Sequence, residues 1–219
     1  MKKGVLNGII IAVVCVFACV VIAKFSIPNS EVSQSSTKTV KVKKKEHKKS
    51  EAELARPYKD PSDLRAEGSW TKSSEKKPYP KLTSKKGLEL RVSLKGNRVY
   101  LLKNGKVIYT MLSTGGMYHK GKSYTPTGTY EIRASKGDNF FNQGLNEGAN
   151  NWVSWDPDDA SVYLFHSVPT KADGSYDKVE AKKLGKTQGS HGCIRLSVPD
   201  SKWLMGNIPV GTKVVIKDK

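Results

Sequence analysis

From Gly87 onward the chain alternates apolar and polar residues, and before Gly87 it does not. Leu88-Glu89-Leu90-Arg91-Val92-Ser93-Leu94 sends every second side chain to one face, the period of a half-buried strand. Lys95-Gly96-Asn97 reads as a turn. Arg98–Lys103 and Lys106–Leu112 then flank Asn104-Gly105, a two-residue hairpin signal. Such a domain opens as an antiparallel meander. Thr129–Ala134, Ser161–Ser167 and Thr212–Lys217 are further strand candidates. Helical signals are brief. Tyr176–Leu184 has Lys182 and Lys183 in its last turn and Gly185 after it. Ser197-Val198-Pro199-Asp200 resembles a cap ahead of Trp203-Leu204-Met205, with Gly206 as a stop. The expectation for residues 87–219 is a mainly β sandwich or meander with one or two short helices. Asp138–Asp159 is polar, with Phe140, Phe141, Trp152 and Trp155. It reads as a long loop pinned to the body by its Trp residues; a lid or platform over a ligand is the second reading.

The first 86 residues read differently. Val5–Ala23 carries no charge and follows Lys2 and Lys3. Nineteen residues approach the thickness of a bilayer core, whereas a secretory signal core is about 7–15 residues. Residues 1–25 are therefore expected to be a signal anchor that leaves the rest of the chain outside the cytoplasm. A cleaved signal ending near Ala23 is the alternative, and a lipid-modified Cys19 is a third. Residues 26–86 contain few large apolar residues and keep no period, so a disordered, Lys-rich linker is expected.

Charge narrows the partners. The formal net charge is +18, from 38 Lys+Arg against 20 Asp+Glu, and only six of the basic residues are Arg. Arg is the usual bidentate reader of phosphates and bases, and no aromatic residues interleave the Lys41–Lys49 run. A nucleic-acid partner is excluded on this ground. The run is first a solvated spacer, and second a contact for anionic wall polymers or lipid headgroups.

Cys193 is the one Cys of the chain outside the apolar run, so no disulfide can be built within residues 87–219. An exported protein that keeps a lone thiol is expected to use it. Cys193 lies in Gly189-Ser190-His191-Gly192-Cys193-Ile194-Arg195, and His166 ends the Val162-Tyr163-Leu164-Phe165 strand candidate. A thiol nucleophile needs a base or a positive field nearby, and donors for the oxyanion. His166 fits the base, and backbone N–H groups of the Ser-His-Gly-Cys turn fit the donors. His119 reads as an exposed loop residue. A zinc set of His166, His191 and Cys193 lacks the spacing of metal motifs, and no cofactor is implied.

With these residues the chain resembles the L,D-transpeptidase catalytic domain, or YkuD-type, family. The resemblance covers about residues 88–217 and rests on His166, then Ser190-His191-Gly192-Cys193-Ile194-Arg195, with Thr125-Pro126-Thr127-Gly128 also similar to a family segment. It implies a peptidoglycan enzyme without a cofactor. Cys193 would be the nucleophile and His166 the general base. Gly192 and Cys193, with His191, would form the oxyanion hole, and Ser167 would orient the imidazole through its carbonyl. Ser190 would support the turn. Arg195 would either favour the thiolate or brace the turn. The partners implied are donor and acceptor stem peptides, joined by a bond between third residues. Water as acceptor would make the enzyme an L,D-carboxypeptidase. One departure stands out: residues 167–189 make the gap from His166 to Ser190 longer than the family's, and the surplus reads as a loop and helix inserted at Lys171–Lys186. Two other classes remain open. A Cys-His-His hydrolase is disfavoured by the order of His before Cys. A wall-binding module would have an inert thiol.

Overall fold

A computed structural model describes residues 48–219. The expected anchor (1–25) and residues 26–47 of the expected linker lie outside the described residues. Among the described residues no helix is long and apolar enough to cross a membrane.

Eleven strands and three short helices are described. The strands are β1 (Leu88–Ser93), β2 (Arg98–Lys103), β3 (Lys106–Thr114), β4 (Tyr118–His119), β5 (Lys122–Ser123), β6 (Gly128–Glu131), β7 (Lys136–Asn142), β8 (Glu147–Ser154), β9 (Leu164–Ser167), β10 (Ile194–Leu196) and β11 (Lys213–Lys217). The helices are α1 (Glu51–Leu54), α2 (Lys178–Ala181) and α3 (Val198–Asn207). The domain is mainly β, as its alternation predicts. Nine strands form one sheet in the order β6-β11-β1-β2-β3-β10-β9-β8-β7, and β4 and β5 form a separate small hairpin.

Local chemistry explains the meander. Asn104 and Gly105 both take positive φ, which the tight β2–β3 turn requires. Leu90, Val92, Val99 and Leu101 from one half of the sheet share a core with Val153, Phe165, Ile194 and Leu196 from the other. Leu204 and Ile208 at the α3 end join the same cluster, so the sheet curls about this core. Ser197 caps α3 by accepting from the Asp200 N–H, with Pro199 in the first turn where no intrahelical donor is needed.

Two expectations are corrected. Asp138–Asp159 is not a long loop: most of it is the hairpin of β7 and β8, with β8 paired to β9. Five of the seven β7 residues are exposed, so the strand lacks an apolar stripe to signal it. The second correction concerns residues 48–86, which are laid over the domain instead of forming a free linker. Arg56 Nε donates to the Gly96 carbonyl at 3.0 Å, and Ser93 Oγ donates to the Ala55 carbonyl at 2.9 Å. Further along, the segment completes β3. Because β10 pairs only with residues 113 and 114 of β3, the outward N–H groups of Thr110 and Leu112 find no strand partner there. The Glu75 carboxylate takes the first at 2.5 Å and the Ser74 hydroxyl the second at 2.8 Å. Ser74 and Tyr79 in turn donate to the buried Asp200 carboxylate, and Tyr79 stacks on Trp203. Single polar side chains and isolated aromatics do this anchoring, and they leave no periodic pattern in the sequence.

Candidate active site

β9 and β10 run side by side in parallel, with His166 opposite Arg195 and Phe165 opposite Ile194. Phe165 and Ile194 enter the core. His166 and Cys193 line the same cavity of about 410 Å³ with Ser190, His191, Glu147, Phe140 and Trp152. Phe140 meets the His166 ring edge-on, with centroids 5.5 Å apart.

His166 is held in one orientation. Its Nδ1 lies 2.6 Å from the Ser167 carbonyl oxygen. A carbonyl only accepts, so Nδ1 carries the proton and Nε2 keeps a free lone pair. Burial, reinforced by the Arg195 guanidinium, pulls the ring from its ordinary 6.5 down to about 3; the Ser167 bond opposes them. At neutral pH His166 is a neutral imidazole.

The turn before Cys193 is stapled from both sides. Ser190 Oγ donates to the Cys193 carbonyl at 2.5 Å and accepts from the Gly192 N–H at 3.2 Å. This takes the Gly192 N–H away from the expected oxyanion role. Gly192 itself has φ +141, and a Cβ there would lie 3.1 Å from the Tyr163 ring and 3.2 Å from the Tyr124 carbonyl, so glycine is required. Thr125, from the second family-like segment, donates to the Gly192 carbonyl at 2.7 Å and accepts from the Gly116 N–H at 2.8 Å. Cys193 Sγ donates to the Val162 carbonyl at 3.4 Å. Burial pushes the thiol up from 9.0 to about 11, with smaller raising contributions from Glu147 and Asp156; a hydrogen bond from the Leu164 backbone and the charge of Arg195 pull it down.

Arg195 does not line the cavity. Its guanidinium, 2% exposed, pairs with Glu147 and Glu180. His191 is exposed at the rim. His119 sits exposed on β4, apart from the cavity. Among the described residues no group of three or more His, Cys, Asp or Glu converges as a metal site would.

Sequence reasoning missed the residues that hold His166 and Cys193 in place. Asp156 is buried and accepts from the N–H groups of Asp158 and Val162, fixing the loop that offers the Val162 carbonyl to Cys193. An Asp two residues before another Asp is the available signal for such a turn. Trp152 lines the cavity while Trp155 is fully buried in the core, so the pinning reading holds for Trp155 alone.

Comparison with known proteins fixes the family. Residues 89–216 match the family described as the L,D-transpeptidase catalytic domain, YkuD, and the chain belongs to it. A Bacillus subtilis (strain 168) protein named "Putative L,D-transpeptidase YciB" is 43% identical over 147 residues, 67% of this chain and 73% of its own. Among solved structures, a fused Zn-dependent amidase/peptidase/peptidoglycan-binding domain-containing protein from Clostridium acetobutylicum ATCC 824 is 25% identical, with TM-score 0.44, over 69% of this chain and 56% of its own. An L,D-transpeptidase from Mycobacterium smegmatis is 17% identical, with TM-score 0.47, over 60% of this chain and 58% of its own. The chain thus spans less than three fifths of either solved chain.

Proposed function

We propose that the chain is a peptidoglycan L,D-transpeptidase with Cys193 as nucleophile and His166 as general base. The observation that carries this reading is the imidazole locked by Ser167, its free Nε2 in the same cavity as the one thiol among the described residues. Both groups rest neutral, so the proton moves as the bond forms. With a donor tetrapeptide in the cavity, Sγ turns its proton from the Val162 carbonyl to His166 Nε2 and attacks the carbonyl between stem residue 3 and D-Ala 4. The Cys193 and His191 N–H groups face the oxyanion. The C–N bond breaks, His166 returns the proton to the departing D-Ala amine, and a thioester remains. An acceptor amine then attacks the thioester and gives its proton to His166. The thiolate leaves and recovers that proton.

Apolar Val162 and Leu164 and the aromatic pair Phe140 and Trp152 suit the aliphatic parts of a stem peptide. This substrate lies outside the cytoplasm, in keeping with Val5–Ala23 as an anchor and the Lys-rich run as a contact for anionic wall polymers. The test is product analysis after the full chain meets a disaccharide-tetrapeptide. Released D-Ala with a crosslinked dimer is expected. Released D-Ala with tripeptide alone would make the enzyme an L,D-carboxypeptidase, and no turnover by folded protein would favour a binding module.

A further inference from the structure

The surplus between His166 and Ser190 delivers a carboxylate to Arg195. It folds into a turn and α2. Ala181 and Leu184 are buried with Val168 and Leu112, and Leu64 and Trp70 of the preceding segment pack against them. The Gly68 N–H donates to the Leu184 carbonyl at 2.8 Å. This seat fixes Glu180, whose Oε2 accepts from Arg195 Nη1 at 3.0 Å. Glu180 Oε1 pairs with Lys183 at 2.5 Å. Glu147, the first residue of β8, offers both oxygens to Arg195 Nη2 at 2.8 and 2.6 Å.

Arg195 is the register partner of His166, so the two side chains leave the sheet on the same face. A nearly buried guanidinium demands an anion, and Arg195 has two, so removing one leaves its charge paired with the other. Its charge acts oppositely on the two reacting groups. It disfavours an imidazolium at His166 and favours a thiolate at Cys193. Both carboxylates pair with Arg195 and offset its charge, and Glu147 also raises the Cys193 thiol directly.

We propose that Glu147 and Glu180 are positioning residues that act through Arg195. They hold its charge in place and set how much of its field reaches His166 and Cys193, and Glu147 adds its own direct field at Cys193. The inference rests on Cys193 and His166 being the reacting pair, but its test needs no peptidoglycan.

The measurement is the rate of Cys193 alkylation by iodoacetamide against pH in the full chain, read at the Cys193 peptide by mass spectrometry. Glu147→Gln and Glu180→Gln keep a hydrogen-bond acceptor for Arg195 and remove the charge. The alkylation midpoint is expected to fall by about one pH unit in Glu147→Gln, by less in Glu180→Gln, and to return toward wild type in Glu180→Asp. Circular dichroism and thermal melting verify folding, and folded Glu180→Gln decides the matter, because Glu147 also raises the thiol directly. A brace without electrostatic influence would lower the melting temperature and leave the midpoint alone. A wild-type midpoint in folded Glu180→Gln overturns the proposal. A shifted midpoint in a protein with no transpeptidase turnover would retain it and sink the substrate assignment.

Discussion

His166 Nδ1 lies 2.6 Å from the carbonyl oxygen of Ser167, its own neighbour in β9. No side-chain carboxylate takes that place, so the imidazole is oriented by backbone and cannot be freed by replacing the Ser167 side chain. Ser167→Ala should keep the imidazole as the Nδ1–H tautomer, visible in ¹⁵N spectra. His166→Gln should lower acyl transfer by about a hundredfold or more while Cys193 still reacts with small alkylating agents at high pH.

The buried imidazole also makes stability depend on pH. Its folded value of about 3 lies below the ordinary 6.5, so between those values the unfolded chain binds more protons. The contribution is fully present above pH 6.5 and is lost on acidification through about pH 3. The slope from this group is about 1.4 kcal/mol per pH unit. Urea unfolding from pH 7 to 4 should show a shallower acid loss in His166→Gln than in wild type. Equal slopes would mean that His166 is solvated in the native state.

Thr125 ties Gly116 to Gly192, the residue before Cys193. Thr125→Val leaves a buried N–H and a buried carbonyl without that partner and should cost about 2 kcal/mol. It should also slow acylation more than it raises KM, because the turn that presents Cys193 loosens. Thr125→Ser should restore most of both, measured by urea melts and single-turnover kinetics.

The two Trp residues of the β8 region should separate cleanly. Trp155→Ala removes a fully buried ring and should destabilise by about 3–5 kcal/mol. Trp152→Ala should change stability little and raise the KM for donor peptide.

Residues 50–86 should prove necessary for folding. A chain beginning at Gly87 loses the Glu75 and Ser74 partners of β3 and uncovers Asp200. It should expose apolar surface and bind ANS, whereas the single change Ser74→Ala should cost about 2 kcal/mol and leave the fold intact.

What the sequence disclosed, and what it hid, follows from the range of the interactions. The Asn104-Gly105 turn and the strands on either side are local, and β2 has the expected bounds. The helix expected over Tyr176–Leu184 shortens to Lys178–Ala181 because Asp177 caps it late and Leu184 is drawn into the core. Cys193 and His166, which line one cavity, stand out by residue type and rarity. Their supports do not. Thr125 reaches a carbonyl 67 positions away, and Ser74 an Asp 126 positions away. Glu147 and Glu180 carry no sequence signal that sets them apart from other acids. No local pattern announces a side chain that replaces a missing strand or neutralises a distant guanidinium.

The central claim is that Cys193 carries the acyl group with His166 as its base. Intact mass of the full chain, taken shortly after mixing with a disaccharide-tetrapeptide, tests it most directly. The expected result is an adduct equal to the donor less D-Ala, mapped to Cys193 by peptide mass, absent in Cys193→Ala and strongly slowed in His166→Gln. An adduct that persists in Cys193→Ala, or unmodified folded protein beside unchanged donor, would contradict it.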